Sequence, residues 1–116
     1  MSATVLKERL RADLKAAMRA KAADEVRVLR VLIAALDNAE AVPSAERPYT
    51  PRAFGDPSGE VARLELDDAA VEALLAGEVS ARLSAAADYR SHGKPNEALR
   101  LEAEAALVER YRALAK

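Results

Sequence analysis

Few side chains in this sequence have the type and the setting that chemistry requires. The single histidine, His92, stands beside Gly93 in a turn pattern that favours helix capping or solvent exposure over catalysis. No serine lies in a nucleophile-elbow context, and the glycine-flanked stretch 55–59 lacks the Gly-Lys-Ser/Thr ending of a phosphate-binding loop. The sequence contains no cysteine and no His-containing ligand spacing. It therefore predicts no catalytic residue, no metal site and no cofactor.

Carboxylates near the C-terminus are harder to dismiss as catalytic groups. They are interleaved with arginines, in the order Glu97, Arg100, Glu102, Glu104, Glu109, Arg110 and Arg112. Catalysis by two carboxylates requires perturbed pKa values inside a cleft. The interleaving instead favours a solvated helix face whose charges pair with one another.

A basic stripe is the best candidate for a nucleic-acid or partner surface. Lys7, Arg11, Lys15 and Arg19 recur every four residues, and four cations along a helix can follow a phosphate backbone. Against this, Glu8 lies on the same side and no aromatic residue is close enough to stack on a base. A solvated face is the favoured interpretation, and an RNA or acidic-partner surface is the alternative.

The elements that must position these residues are helices. Hydrophobic residues make up 51% of the 116 positions and aromatic residues 3%, which predicts one globular domain, 1–116, with a core of Leu, Val and Ala. The net charge of −1 gives no global electrostatic argument for nucleic acid. No signal-peptide pattern opens the sequence and no apolar run approaches about 18 residues, so a cytoplasmic protein without a membrane partner is expected.

Apolar spacing and capping residues predict an all-α fold, a small multihelical domain of about four helices. The predicted helices span 5–21, 25–39, 68–91 and 95–114, with Thr4, Asp24 and Asp67 as N-caps of the first three. The second is apolar around most of its circumference, which predicts a central position. The turn at 92–95 predicts an antiparallel hairpin of the last two helices.

The stretch 41–66 is predicted to be an inserted, irregular arm. It holds four of the five prolines, and proline interrupts a helix because it lacks an N–H donor. Its aromatic residues, Tyr49 and Phe54, are expected to pin parts of the arm to the helices.

The first third of the chain resembles the N-terminal part of a known protein family. The resemblance is carried by residues 6–40, LKERLRADLKAAMRAKAADEVRVLRVLIAALDNAE. The matching positions there are Glu8, Arg9, Leu10, Asp13, Lys15, Ala17, Met18, Leu29, Arg30 and Asn38. Further matches are LDDAAV at 66–71, then Glu78, Arg82, Tyr89, Gly93, Glu104, Glu109 and Tyr111, and the positions of Lys94 and Asn96 belong to the same motif. The family is YqeY, the stand-alone relatives of the C-terminal region of the GatB subunit of tRNA-dependent amidotransferases. Lys94 and Asn96 depart from its usual Arg and Asp, and Tyr111-Arg112-Ala113 departs from its Tyr-Leu-Pro.

The resemblance covers the amino-terminal helical domain of the family, without its tail domain. It implies a non-catalytic, translation-associated adaptor that presents a helix face to a protein partner or to tRNA or another RNA. The alternative that it implies is an amidase-related accessory protein in tRNA-dependent amidation, linked to carbon–nitrogen ligase activity with glutamine as the nitrogen donor.

A polar cluster is also expected among residues that match the family or lie close to matching ones. Its members are Arg27, Arg30, Asn38, Glu78, Arg82 and Glu104. Arg30 is expected to pair with an acidic helix, and Asn38 to help end its own helix. Glu78 and Arg82 are expected to form an exposed i,i+4 pair.

Overall fold

The computed structural model describes residues 1–41 and 64–116. In these ranges it contains the helices α1 (Ala3–Arg19), α2 (Ala23–Glu40), α3 (Asp68–Ser91) and α4 (Pro95–Ala115). The predicted all-α class with about four helices is therefore confirmed. Most of the predicted arm, including Tyr49 and Phe54, lies outside the described residues.

The starts of α1 and α2 differ from the predicted ones. The hydroxyl of Ser2, and not that of Thr4, caps α1 by accepting a hydrogen bond from the Val5 N–H at 3.2 Å. Helix α2 begins after Ala22 without a side-chain cap, so Asp24 lies inside its first turn. A carboxylate there still faces the positive end of the helix dipole, which explains why an acidic residue suits either position.

The α3–α4 hairpin follows the predicted boundaries closely. Asp67 caps α3, since its Oδ1 accepts a hydrogen bond from the Ala70 N–H at 2.7 Å. Gly93 follows the end of α3 with a φ of 73°, a left-handed conformation that glycine adopts without steric cost. Pro95 then opens α4 in its first turn, where its missing N–H is not needed.

Two antiparallel hairpins, α1–α2 and α3–α4, share one core, and α2 contacts all three of the other helices. The largest fully buried side chains are those of Leu6, Leu10, Leu29, Leu32, Leu36 and Leu75. The predicted central position of α2 is thus confirmed. Near the turn of the α3–α4 hairpin, the buried residues are the small Ala86 and Ala98, which allow these two helices to approach closely.

The chain returns to the bundle beside the end of α2, because the Leu64 N–H donates a hydrogen bond to the Glu40 carbonyl at 2.6 Å. The two ends of the segment between them are therefore adjacent. Among the described helices, none combines the length and the apolar character needed to cross a membrane.

Candidate partner-binding surface

Four of the six residues of the predicted polar cluster meet where α2, α3 and α4 come together. Glu104 is the centre: its Oε2 accepts a hydrogen bond from Arg27 Nη2 at 2.8 Å, and its Oε1 lies 3.5 Å from Arg82 Nε. Arg82 Nη1 also donates to Glu78 Oε2 at 2.7 Å. Arg100 Nε lies 4.0 Å from the same Glu104 carboxylate. The cluster therefore joins three helices through one carboxylate.

Burial distinguishes this cluster from the solvated face that the sequence predicted. The side chains of Glu104 and Arg82 are each 11% exposed, so the expected exposed Glu78–Arg82 pair forms but is largely covered. The hydrogen bond to Glu104 is the main reason that the pKa of Arg27 is raised. Mutual pairing of this kind holds each carboxylate in place and suits a structural junction better than proton transfer.

Arg30 and Asn38 do not join the cluster. Both are exposed, and Arg30 makes no ion pair with any residue in 1–41 or 64–116. The predicted pairing of Arg30 with an acidic helix is wrong, because Arg27, one turn earlier on α2, takes that position against α4. At the end of α2, the Ala41 N–H donates a hydrogen bond to the Asn38 carbonyl at 3.3 Å, a backbone contact that does not depend on the asparagine side chain.

The basic stripe is divided by the fold. Lys7 is buried between α1 and α2, with its Nζ 2.8 Å from Glu40 Oε1 and 3.2 Å from Asp37 Oδ1. It is therefore not part of a surface. Arg11, Lys15 and Arg19 are exposed, and none of the three has an ion-pair partner in the described part of the chain. Three of the four predicted cations thus remain available to a partner.

A shallow groove of about 650 Å³ lies where the end of α1 meets the first half of α2. We call it the α1–α2 groove; it is lined by Met18, Lys21, Ala23, Val26, Arg27, Arg30 and Val31. Met18 is 50% exposed and Val31 40% exposed. Both are apolar, yet the structure leaves them accessible because α3 and α4 cover a different side of α2.

Within residues 1–41 and 64–116, the charged side chains that line the α1–α2 groove are all positive. Lys21 and Arg30 have no ion-pair partner within the described residues, whereas Arg27 is held by Glu104 and by Asp24 at 3.1 Å. Lys21 owes its position to the tight turn after α1, where its φ of 55° lies in the left-handed region. Sequence reasoning missed Lys21, since nothing in its neighbours marks the turn conformation.

His92 lies at the C-terminus of α3, in the turn between α3 and α4. Its Nδ1 is 2.6 Å from the Asp88 carbonyl, so it caps the helix as predicted. Across 1–41 and 64–116, no group of three or more acidic, His or Cys side chains is placed to hold a metal ion.

Comparisons with known proteins add no identification. No family model, no curated protein and no solved structure matches the chain. The resemblance to the YqeY family therefore remains a prediction from the residues quoted above.

Proposed function

We propose that this domain is a non-catalytic helical adaptor of the YqeY type, associated with translation, that binds a partner through the α1–α2 groove. The observation that carries the proposal is the adjacency of exposed apolar side chains and unpaired cations. Met18 and Val31 are about half exposed in the groove, and Arg30 and Lys21 lie beside them without a carboxylate partner among the described residues. Apolar surface rimmed by free charge is typical of a binding site.

The distribution of charge elsewhere supports this choice of surface. The charged side chains between α3 and α4 are mostly paired, as in Arg112 with Glu72 at 2.6 Å and in the pair Arg90 and Glu102. A partner gains little there, because it would have to replace interactions that already exist. The exposed cations of α1, namely Arg11, Lys15 and Arg19, instead extend the positive potential of the helix that borders the groove.

The alternative function is an accessory role in tRNA-dependent amidation with glutamine as the nitrogen donor. Its acid–base candidates would be Glu78 and Glu104, and both are bound by arginines. We therefore rank it below the adaptor. Release of ammonia from glutamine by the purified chain, lost in Glu104→Gln, would reverse this order; equal background rates for both proteins would end the alternative.

Site-specific photo-crosslinking in cells tests the adaptor function. A photoreactive amino acid replaces Val31 in the groove or, as the matched control, Leu83 on α3, which is similarly exposed at 48%. We expect reproducible adducts with one macromolecule from position 31 and none of the same adducts from position 83. Absence of reproducible adducts at position 31, or the same adducts from both positions, would overturn the proposed function.

A further inference from the structure

The chemistry of the α1–α2 groove also specifies a class of partner. We propose that the groove binds an acidic amphipathic helix of another protein. This inference rests on the proposed adaptor function and adds to it the identity of the binding element. Three observations carry it: the apolar floor, the sign of the surrounding charges and the spacing of the unpaired cations.

The floor of the groove suits side chains of a helix. Met18, Val26 and Val31 line it, and its volume of about 650 Å³ accommodates several aliphatic side chains. Methionine adapts its shape to different apolar partners because its side chain is flexible and polarizable. An amphipathic helix presents apolar residues at i and i+3 or i+4 to such a groove. The apolar floor thus accounts for the hydrophobic face of the partner.

The charges define the polar part of the partner. Among the described residues, three cations and no carboxylate line the groove, so acidic residues are favoured at its edge and basic ones are repelled. Lys21 lies in the turn two residues before α2 begins at Ala23, and Arg30 lies about 10 Å along the helix axis from Ala23 at 1.5 Å per residue. Two carboxylates separated by about two helical turns, with apolar residues between them, match these positions.

A protein helix is favoured over RNA by the same residues. Sites for single-stranded RNA combine a positively charged groove with aromatic rings on which successive bases stack. Among the described residues no aromatic side chain lines the groove: Tyr111 is a buried residue of α4, and Tyr89 lies near the C-terminal end of α3. A base that packs against aliphatic side chains loses the hydrogen bonds that its polar edges make to water, and these side chains offer no hydrogen bonds in return. RNA is therefore an outcome of the test and not the proposed partner.

Fluorescence anisotropy with labelled peptides tests this inference on the full chain. The probe is an alanine-based helix of about 18 residues with two Glu seven residues apart and two Leu between them. One control peptide has Lys in place of both Glu, and a second has Ser in place of both Leu. A single-stranded RNA of about 12 nucleotides serves as the nucleic-acid probe.

Variants of exposed groove residues show where the peptide binds. We expect Arg30→Glu to weaken binding of the acidic peptide about five- to tenfold, because one attractive pair becomes repulsive. Val31→Gln should weaken it about fivefold by removing apolar contact. The matched controls are Arg110→Glu on α4 and Leu83→Gln on α3, both at exposed positions, and they should change the affinity less than about twofold. Circular dichroism confirms that each variant is folded, and Lys21→Glu provides a second charge reversal.

The outcomes separate this inference from the proposed function. Preference for the acidic Leu-containing peptide, reduced by both Arg30→Glu and Val31→Gln, would support it. Equal binding of the Lys-containing peptide, tighter binding of RNA, absence of binding, or insensitivity to both groove variants would overturn it. In each of these negative cases the adaptor function still stands if position 31 gives specific adducts in cells, and it fails if those adducts are absent.

Discussion

Lys7 provides the sharpest test of how the fold divides the basic stripe. Its ammonium group lies 2.8 Å from Glu40 Oε1, and the two side chains are 10% and 12% exposed. The contact is an ion pair and not an aligned hydrogen bond, since Glu40 Oε1 lacks a hydrogen-bond donor within the described residues. Replacing Lys7 by Met would leave the carboxylate of Glu40 buried without a countercharge.

The size of the effect follows from this burial. Removing one partner of a buried ion pair costs about 3 to 5 kcal/mol. Because both side chains keep about a tenth of their exposure, we expect the lower end, a loss of about 3 kcal/mol in the free energy of unfolding for Lys7→Met. Asp37 is 39% exposed and adds at most about 1 kcal/mol.

Urea unfolding followed by circular dichroism measures this loss. Lys15→Met is the matched control, because Lys15 is exposed on the same helix, and it should change stability by no more than about 0.5 kcal/mol. The double variant Lys7→Met with Glu40→Leu should regain most of the loss, since both buried charges are then gone. If Lys7→Met and Lys15→Met were equally stable, the buried ion pair would not contribute and the reasoning would be refuted.

Three further predictions test other parts of the structure. Burial raises the pKa of Tyr111 above its unfolded value of about 10, so its contribution to stability is complete below pH 10 and declines as the pH rises further. Tyr111→Phe, which also loses the hydrogen bond to Asp13, should cost about 1 to 2 kcal/mol near pH 8 and flatten that alkaline decline in urea titrations; an unchanged pH slope would contradict it. Glu104→Gln should cost about 2 kcal/mol in thermal unfolding because it removes the buried carboxylate that joins α2, α3 and α4 and leaves Arg82 with Glu78 alone as countercharge, whereas Glu97→Gln at a more exposed side chain should be nearly neutral; equal losses would disprove the central role of Glu104. Asp67→Ala should cost about 1 kcal/mol by removing the cap of α3, and an unchanged urea midpoint would argue against that cap.

The helices could be predicted because their signals are local. Asp67, Gly93 and Pro95 each act on the residues next to them, so the α3–α4 hairpin followed from the sequence almost residue by residue. Ser2 and Thr4 show where such signals are ambiguous. Both can cap a helix, and the sequence alone does not determine at which of them the first turn begins.

The polar residues were harder to predict because pairing depends on distance in space. Arg27 and Arg30 lie three residues apart on α2 and have the same chemistry. Only the packing of α4 against α2 places Glu104 beside Arg27 and leaves Arg30 exposed. The convergence of Glu78, Arg82 and Glu104 has the same origin, since it requires α3 and α4 to meet.

The sequence by itself determined the helical class, the central position of α2 and the end of α3, because periodicity and capping depend on neighbouring residues. Only the tertiary structure decided which apolar and charged residues stay accessible. It buries Lys7 against Glu40, although the spacing of the basic stripe placed Lys7 on a surface, and it leaves the apolar Val31 exposed beside Arg30. The physical reason is that exposure depends on which face of each helix the other hairpin covers, and that choice is made by packing of the whole core.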